Sequence, residues 1–123
     1  MKHAPRFLAL VEAVRPTVRE LSVDEVRAWQ ARAEAFHFVD VREDDEWRSG
    51  HCEGARHLGR GVLERDVEAQ FPEPTAAIVL YCGGGFRSAL AAESLARMGY
   101  TNIWSMAGGI RAWRDAGLPE LTP

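Results

Sequence analysis

The sequence of 123 residues has little cysteine, no long hydrophobic run and no excess of positive charge. No apolar run approaches the roughly 20 residues that a membrane-spanning helix requires. Two cysteines do not make a disulfide framework, so we expect free thiols in a reducing, cytoplasmic setting. The net charge of −3 argues against nonspecific binding to nucleic acid or to anionic membranes. We therefore expect a cytoplasmic protein with no nucleic-acid or membrane partner.

Targeting and repeat signals are also missing. The opening stretch MKHAPRFLALVEAVRP has an early lysine and a short apolar run, as a signal peptide has. Glu12 and Arg15 interrupt that run and no small-residue cleavage site follows, so we expect no export. We find no internal repeat, low-complexity tract or dividing linker, and the length suits one domain with a real core.

The chain contains alternating helix and strand patterns. Apolar and β-branched runs predict strands over 36–41, 54–58, 76–82 and 102–106. Helical spacing and capping signals predict helices over 6–14, 23–34, 62–71, 88–98 and 108–117, with a brief helical turn over 43–50. Ser22 and Glu25 form a capping-box pattern at the start of the second of these helices. This alternation predicts an α/β domain with a mostly parallel sheet.

The segment CGGGFR, residues 82–87, connects the clearest strand to the clearest helix. Parallel α/β sheets bind ligands at this place, beyond the carboxyl ends of the strands. Glycines allow successive N–H groups to form an anion-binding nest, the helix N-terminus adds positive potential, and Arg87 adds a cation. Together they favour the nucleophilic thiolate form of Cys82. The alternative is a glycine-rich turn beside a buried, inert cysteine. A dinucleotide or nucleotide loop is excluded, because neither a G-x-G-x-x-G order nor a Walker lysine is present.

Three segments resemble the rhodanese (thiosulfate sulfurtransferase-like) family. They are DVREDDEWRSGHCEGARHL, CGGGFRSALAAESLARMGY and WSMAGGIRAWRDAGLP, in this order along the chain. The resemblance implies a three-layer α/β fold, in which helices flank a five-stranded parallel sheet and Cys82 accepts a sulfur atom as a persulfide. It places the domain at residues 18–120 and leaves residues 1–17 as an N-terminal extension with a short helix. We expect that extension to pack on the domain, and self-association is the alternative.

The length of the cysteine loop separates two chemistries in the resembling proteins. The loop is six residues long from Cys82 to Arg87, as in the members that transfer sulfur. Related dual-specificity phosphatases and arsenate reductases carry one residue more, which widens the loop for a tetrahedral oxyanion. The loop also lacks the acidic residue that a cysteine phosphatase uses as general acid. A phosphatase or arsenate reductase is therefore the weaker alternative.

The resemblance implies a two-step reaction without a cofactor. Cys82 attacks the outer sulfur of a small anionic donor such as thiosulfate, and the persulfide then passes its sulfur to cyanide or a thiol. Gly83, Gly84 and Gly85 are expected to hold the sulfur. Ser88 is expected to cap the helix or to donate to the sulfur. Two roles stay open for Arg87, a cation for the donor or a tie to a carboxylate, and two for Phe86, a wall of the entrance or a side chain packed on the sheet.

Four further residues invite a functional reading. Asp40, Arg42 and His51 are expected to be structural, because buried charges and histidines need partners. Cys52 is expected to be a small hydrophobic residue, and the alternative is a second thiol that resolves the persulfide. Residues 51–57 match no standard zinc spacing, so we expect no metal.

Two other functions compete with a simple sulfurtransferase. One is a sulfur carrier that passes the persulfide to the thiol of a protein partner, since the loop leaves an open mouth. The other is a noncatalytic binding module of the same family. Such modules commonly lack the cysteine, so the presence of Cys82 counts against it.

Overall fold

A computed structural model describes residues 2–123. The strands are β1 Arg19–Leu21, β2 His37–Asp40, β3 His51–Cys52, β4 Arg56–His57, β5 Ile78–Tyr81, β6 Ile103–Met106 and β7 Glu120–Leu121. The helices are α1 Pro5–Val14, α2 Val23–Ala31, α3 Asp44–Ser49, α4 Leu63–Gln70, α5 Phe86–Arg97 and α6 Gly109–Asp115, and a 3₁₀ turn covers Arg15–Thr17. No helix within this part of the chain combines the length and the hydrophobicity of a membrane span.

Five strands form one parallel sheet in the order β1-β6-β5-β2-β4. The predicted five-stranded parallel sheet flanked by helices is thereby confirmed. Strand β5 is central and fully buried, in agreement with its continuous apolar run. Sequence analysis missed β1 and a second, two-stranded antiparallel sheet formed by β3 and β7.

The two faces of the sheet carry separate halves of the core. Because side chains alternate along a strand, Ile78 and Leu80 point to one face while Val79 and Tyr81 point to the other. Helices α4 and α5 cover the first face, and helices α2 and α6 cover the second. Cys82 belongs to the α5 side. The result is a three-layer α/β arrangement in which α5 lies directly behind the cysteine loop.

A local capping signal explains where helix α2 begins. The Ser22 hydroxyl accepts a hydrogen bond from the Glu25 amide at 3.1 Å, and the Glu25 carboxylate accepts one from the Ser22 amide at 2.9 Å. This capping box starts α2 as predicted, although α2 ends three residues earlier than expected, at Ala31.

Helix α1 lies against α5, with Val11 only 1% exposed. The N-terminal extension therefore packs on the sheet layer through α5.

Candidate active site

The Cys82 sulfur lies where the central strand ends and α5 begins. Cys82 directly follows β5, and its side chain accepts hydrogen bonds from the backbone amides of Gly85 at 3.2 Å and Ser88 at 3.4 Å. The Ser88 hydroxyl lies 3.6 Å from the same sulfur. These N–H dipoles and the positive end of α5 stabilise negative charge on the sulfur.

The three glycines of the loop differ in their hydrogen bonds. Only Gly85 among the three donates its amide to the Cys82 sulfur. The amides of Gly83 and Gly84 have no hydrogen-bond acceptor among residues 2–123, and neither do the first two amides of α5, at Phe86 and Arg87. That the amides of Gly83 and Gly84 also hold a sulfur atom stays a prediction. The remaining amides are available to an atom or anion bound to the sulfur.

Gly85 adopts a backbone conformation that other residues avoid. Its φ of +97° lies in the left-handed region, and it is the residue that caps α5. A Cβ atom at this position lies only 3.1 Å from the Gly108 amide nitrogen. Glycine is therefore required here for both the turn and the close contact with the next loop.

The N-terminal end of α6 holds the cysteine loop from behind. The amides of Ile110 and Arg111 donate to the carbonyl oxygens of Cys82 at 2.9 Å and Gly83 at 3.1 Å. Gly109 makes this approach possible, because a Cβ atom on it lies 2.5 Å from the Cys82 carbonyl oxygen. The pair Gly108–Gly109 thus fixes the shape of the glycine run Gly83–Gly85.

Arg87 is bound to a carboxylate from another element. Its guanidinium donates to both carboxylate oxygens of Glu46, on α3, at 2.8 and 3.0 Å. The hydrogen bonds from Arg87 lower the pKa of Glu46 from 4.5 to about 2, although partial burial acts in the opposite direction. Of the two roles left open for Arg87, this geometry favours the tie to a carboxylate. Glu46 lies within the segment DVREDDEWRSGHCEGARHL that resembles the family, but its pairing with Arg87 was not predicted.

A cavity of about 390 Å³ opens above Cys82. Its floor and sides are formed by His3, Phe7, Glu46, Cys82, Gly83, Gly84, Phe86, Arg87 and Arg111. Phe86 stands at the cavity wall, where its ring meets the edges of His3 at 4.6 Å and Phe7 at 6.2 Å between centroids. The entrance-wall role of Phe86 is therefore the one that the geometry favours. Sequence analysis missed His3, Phe7 and Arg111.

Ser88 is part of a buried hydroxyl pair. Its side chain lies 2.7 Å from the Ser105 hydroxyl on β6, and both residues are fully buried. The Ser88 amide also donates to the Cys82 sulfur, whereas the residue that caps α5 is Gly85 and not Ser88. Ser105 orients the Ser88 hydroxyl beside the sulfur, a second contact that sequence alone did not reveal.

Asp40 and Arg42 form a buried ion pair away from the cavity. The Arg42 guanidinium donates to both carboxylate oxygens of Asp40, at 2.9 to 3.1 Å, and to the Gly50 carbonyl oxygen at 2.7 Å. Asp40 is fully buried and Arg42 is 3% exposed. The pair joins the end of β2 to the turn after α3, the helix that carries Glu46.

His51 and Cys52 lie in the small antiparallel sheet. The His51 ring stacks on Trp47 at 3.5 Å between centroids, and its Nδ1 lies 3.3 Å from the Trp47 carbonyl oxygen. Cys52 is fully buried on the face of the main sheet opposite to Cys82, and burial raises the pKa of its thiol to about 12. This placement favours the small-hydrophobe reading of Cys52 over a resolving thiol. Within residues 2–123, no three metal-binding side chains come together.

Fold and site together define an α/β protein with a candidate cysteine nucleophile at the carboxyl edge of a parallel sheet. The model of the Rhodanese-like domain family matches residues 22–116. The chain therefore belongs to the rhodanese-like family.

Proteins with different descriptions are similar to this chain. The thiosulfate sulfurtransferase GlpE of Vibrio cholerae is 32% identical over 98 residues, which are 77% of this chain and 90% of that protein. A Rhodopseudomonas palustris protein of unknown function, described as a possible tyrosine phosphatase, is 32% identical with a TM-score of 0.81, and the match covers 97% of each chain. The polysulfide-sulfur transferase of Wolinella succinogenes is 28% identical with a TM-score of 0.80, over 96% of this chain and 88% of that one.

Proposed function

We propose that this protein is a sulfurtransferase that carries sulfur as a persulfide on Cys82. One observation supports this most strongly. The Cys82 sulfur accepts two backbone N–H bonds at the floor of an open cavity, while neighbouring loop amides have no acceptor among residues 2–123. Such a site holds one anionic sulfur and offers further donors for a second. The sulfurtransferase names of relatives in Vibrio cholerae and Wolinella succinogenes support the same chemistry.

The first step loads the cysteine. The Cys82 thiolate attacks the outer sulfur of a small anionic donor, thiosulfate or another sulfane-sulfur compound. A sulfur–sulfur bond forms to Cys82, the bond between the two donor sulfurs breaks, and its electron pair leaves with sulfite. The new terminal sulfur carries the negative charge, and the unpaired amides of Gly83 and Gly84 stabilise it.

The second step unloads the persulfide. Cyanide or a thiolate attacks the terminal sulfur, and the electron pair of the broken bond returns to the Cys82 sulfur as thiolate. No cofactor takes part in either step. The Arg87–Glu46 pair, at 2.8 Å, keeps the loop in place, so Arg87 acts by positioning the loop.

A sulfur carrier for a protein partner is the second candidate. The cavity of about 390 Å³ admits groups larger than thiosulfate, including a cysteine side chain of a partner protein. Both cysteines of this chain are free thiols, which is consistent with a cytoplasmic setting. The phosphatase alternative is weaker, because the loop has the six-residue length of the family members that transfer sulfur, one residue less than in the related phosphatases.

Intact-protein mass measurement after incubation with thiosulfate tests the proposal. We expect a gain of one sulfur atom in the wild type and in Cys52→Ser, and no gain in Cys82→Ser. Cyanide then removes the added sulfur if the protein is a simple enzyme, whereas release to a protein thiol alone identifies the carrier. Hydrolysis of a phosphotyrosine mimic without any sulfur gain would overturn the proposal.

A further inference from the structure

A serine interrupts the apolar side of strand β6. Trp104 and Met106 belong to the core on the α2 and α6 face of the sheet, and Ile103 belongs to the core beneath α5. Because side chains alternate along a strand, Ser105 shares the α5 face with Ile103. Ser105 pairs in register with Leu80 of β5 and is fully buried. A buried hydroxyl costs free energy unless it finds a hydrogen-bond partner, so the partner of Ser105 indicates what this residue does.

Two hydroxyls connect strand β6 to the Cys82 sulfur. The Ser105 hydroxyl lies 2.7 Å from the Ser88 hydroxyl, which in turn lies 3.6 Å from the sulfur. All three residues are buried, with exposed fractions of 1% or less. Neither hydroxyl has a further hydrogen-bond partner within residues 2–123. We define these three side chains as the hydroxyl chain.

The direction of the hydrogen bonds in the hydroxyl chain follows from the acceptors present. Ser105 can donate its proton only to the Ser88 oxygen, because no other acceptor among the described residues is within reach. The proton of Ser88 then has one acceptor left, the Cys82 sulfur. A thiolate carries no proton, so the hydroxyl is the donor at this contact. The bonds therefore run from Ser105 through Ser88 to the sulfur, and the first strengthens the second.

We propose that Ser105 is a positioning residue that stabilises negative charge on the Cys82 sulfur by aiming the Ser88 hydroxyl at it. This inference rests on the proposed sulfurtransferase function. Cys82 carries the charge before loading, as the attacking thiolate, and again during unloading, as the leaving group. In unloading, cyanide bonds to the terminal sulfur, the sulfur–sulfur bond breaks, and its electron pair returns to the Cys82 sulfur. The hydroxyl protons stay on their oxygens in both steps, so Ser105 takes no part in proton transfer.

Two substitutions of nearly equal size separate the hydroxyl of Ser105 from the space that the side chain fills. Ser105→Thr and Ser105→Val have almost the same shape and both suit a β-strand, but only threonine keeps a hydroxyl. Ser105→Ala removes the hydroxyl without adding volume, so it serves as the test if valine does not fit the core. The ionisable groups that line the cavity with Cys82 stay the same in all three variants; they are His3, Glu46, Arg87 and Arg111.

Intact mass measures two quantities, the pH profile of iodoacetamide labelling at Cys82 and the rate at which cyanide removes sulfur from the loaded protein. In Ser105→Ala and Ser105→Val we expect the midpoint of the labelling profile to rise by roughly half to one pH unit. The labelling rate at the high-pH plateau should not fall, because a less stabilised thiolate is the better nucleophile. Cyanide should remove the sulfur roughly threefold to tenfold more slowly, because the leaving thiolate loses a hydrogen bond. Ser105→Thr is expected to return both quantities towards the wild-type values.

The opposite outcomes separate Ser105 from the proposed function. An unchanged midpoint and an unchanged cyanide rate in the folded variants that lack the hydroxyl would overturn the inference. Equal changes in Ser105→Val and Ser105→Thr would also overturn it, because the hydroxyl would then not be the cause. The labelling profile needs no sulfur donor, so it tests Ser105 independently of loading. A wild type that gains no sulfur from thiosulfate would overturn the proposed function instead.

Discussion

Removing the Glu46 carboxylate tests the ion pair that anchors the cysteine loop. We consider Glu46→Gln, which keeps the shape of the side chain and removes its charge. The variant loses the charge-assisted, two-point contact with Arg87, which joins α3 to the start of α5.

The size of the effect follows from the pKa of Glu46. A fall from 4.5 to about 2 corresponds to an upper value of about 3 kcal/mol. The side chains of Arg87 and Glu46 are 35% and 33% exposed, so solvent screening reduces the stabilisation to roughly 1–2 kcal/mol. Because the pKa is lower in the folded state, this stabilisation is complete above about pH 4.5 and is lost as the pH falls towards 2.

Urea unfolding at pH 7 and pH 3 measures this stabilisation. Glu46→Gln is expected to be less stable than the wild type by roughly 1–2 kcal/mol at pH 7, and by well under half of that at pH 3. Glu12→Gln is the control, since Glu12 is exposed on α1 and makes no salt bridge within residues 2–123. A difference between the wild type and Glu46→Gln that stays the same at both pH values would refute the ion pair as its source.

Three further predictions concern the surroundings of the loop. Gly109→Ala is expected to lower the free energy of unfolding by about 2–3 kcal/mol, since its φ is +57° and its Cβ atom lies 2.5 Å from the Cys82 carbonyl oxygen; wild-type stability in urea would contradict this close approach. Asp40→Asn leaves the buried Arg42 without its counter-charge and is expected to cost about 3–5 kcal/mol in the same assay, whereas a cost below 1 kcal/mol would be evidence against the buried pair. Iodoacetamide at pH 8 is expected to spare Cys52 in the folded protein and to label it in urea, because its thiol is buried with a pKa of about 12; peptide mapping that finds Cys52 labelled without urea would disprove its burial.

The central strands and long helices were predictable because their signals are local. Strand β5 has a continuous apolar run, and α5 follows a glycine loop with strong helix formers. Strand β1 was missed because Arg19–Leu21 is short and mostly polar, and it becomes a strand only by pairing with Trp104–Met106 of β6. Strands β3 and β7 are two residues each and depend in the same way on a partner far along the chain.

In the candidate site, too, residues that are neighbours in the sequence were predictable, and residues from distant segments were not. The loop from Cys82 to Ser88 was predictable, because the nucleophile, the glycines and the start of the helix are consecutive in the sequence. Residues that reach the site from elsewhere were not. Glu46 contacts Arg87 across 41 positions of the chain, and His3 and Phe7 belong to the segment that sequence patterns placed in a separate extension. The packing of α1 on α5 brings His3 and Phe7 to the cavity, and the ion pair with Arg87 holds Glu46 there.

A crystal structure of the protein after treatment with thiosulfate tests the account most directly. We predict an additional sulfur atom bonded to the Cys82 sulfur, within hydrogen-bonding distance of the unpaired amides of Gly83 and Gly84. An unmodified Cys82 after treatment, or an added sulfur turned away from these amides, would contradict the account.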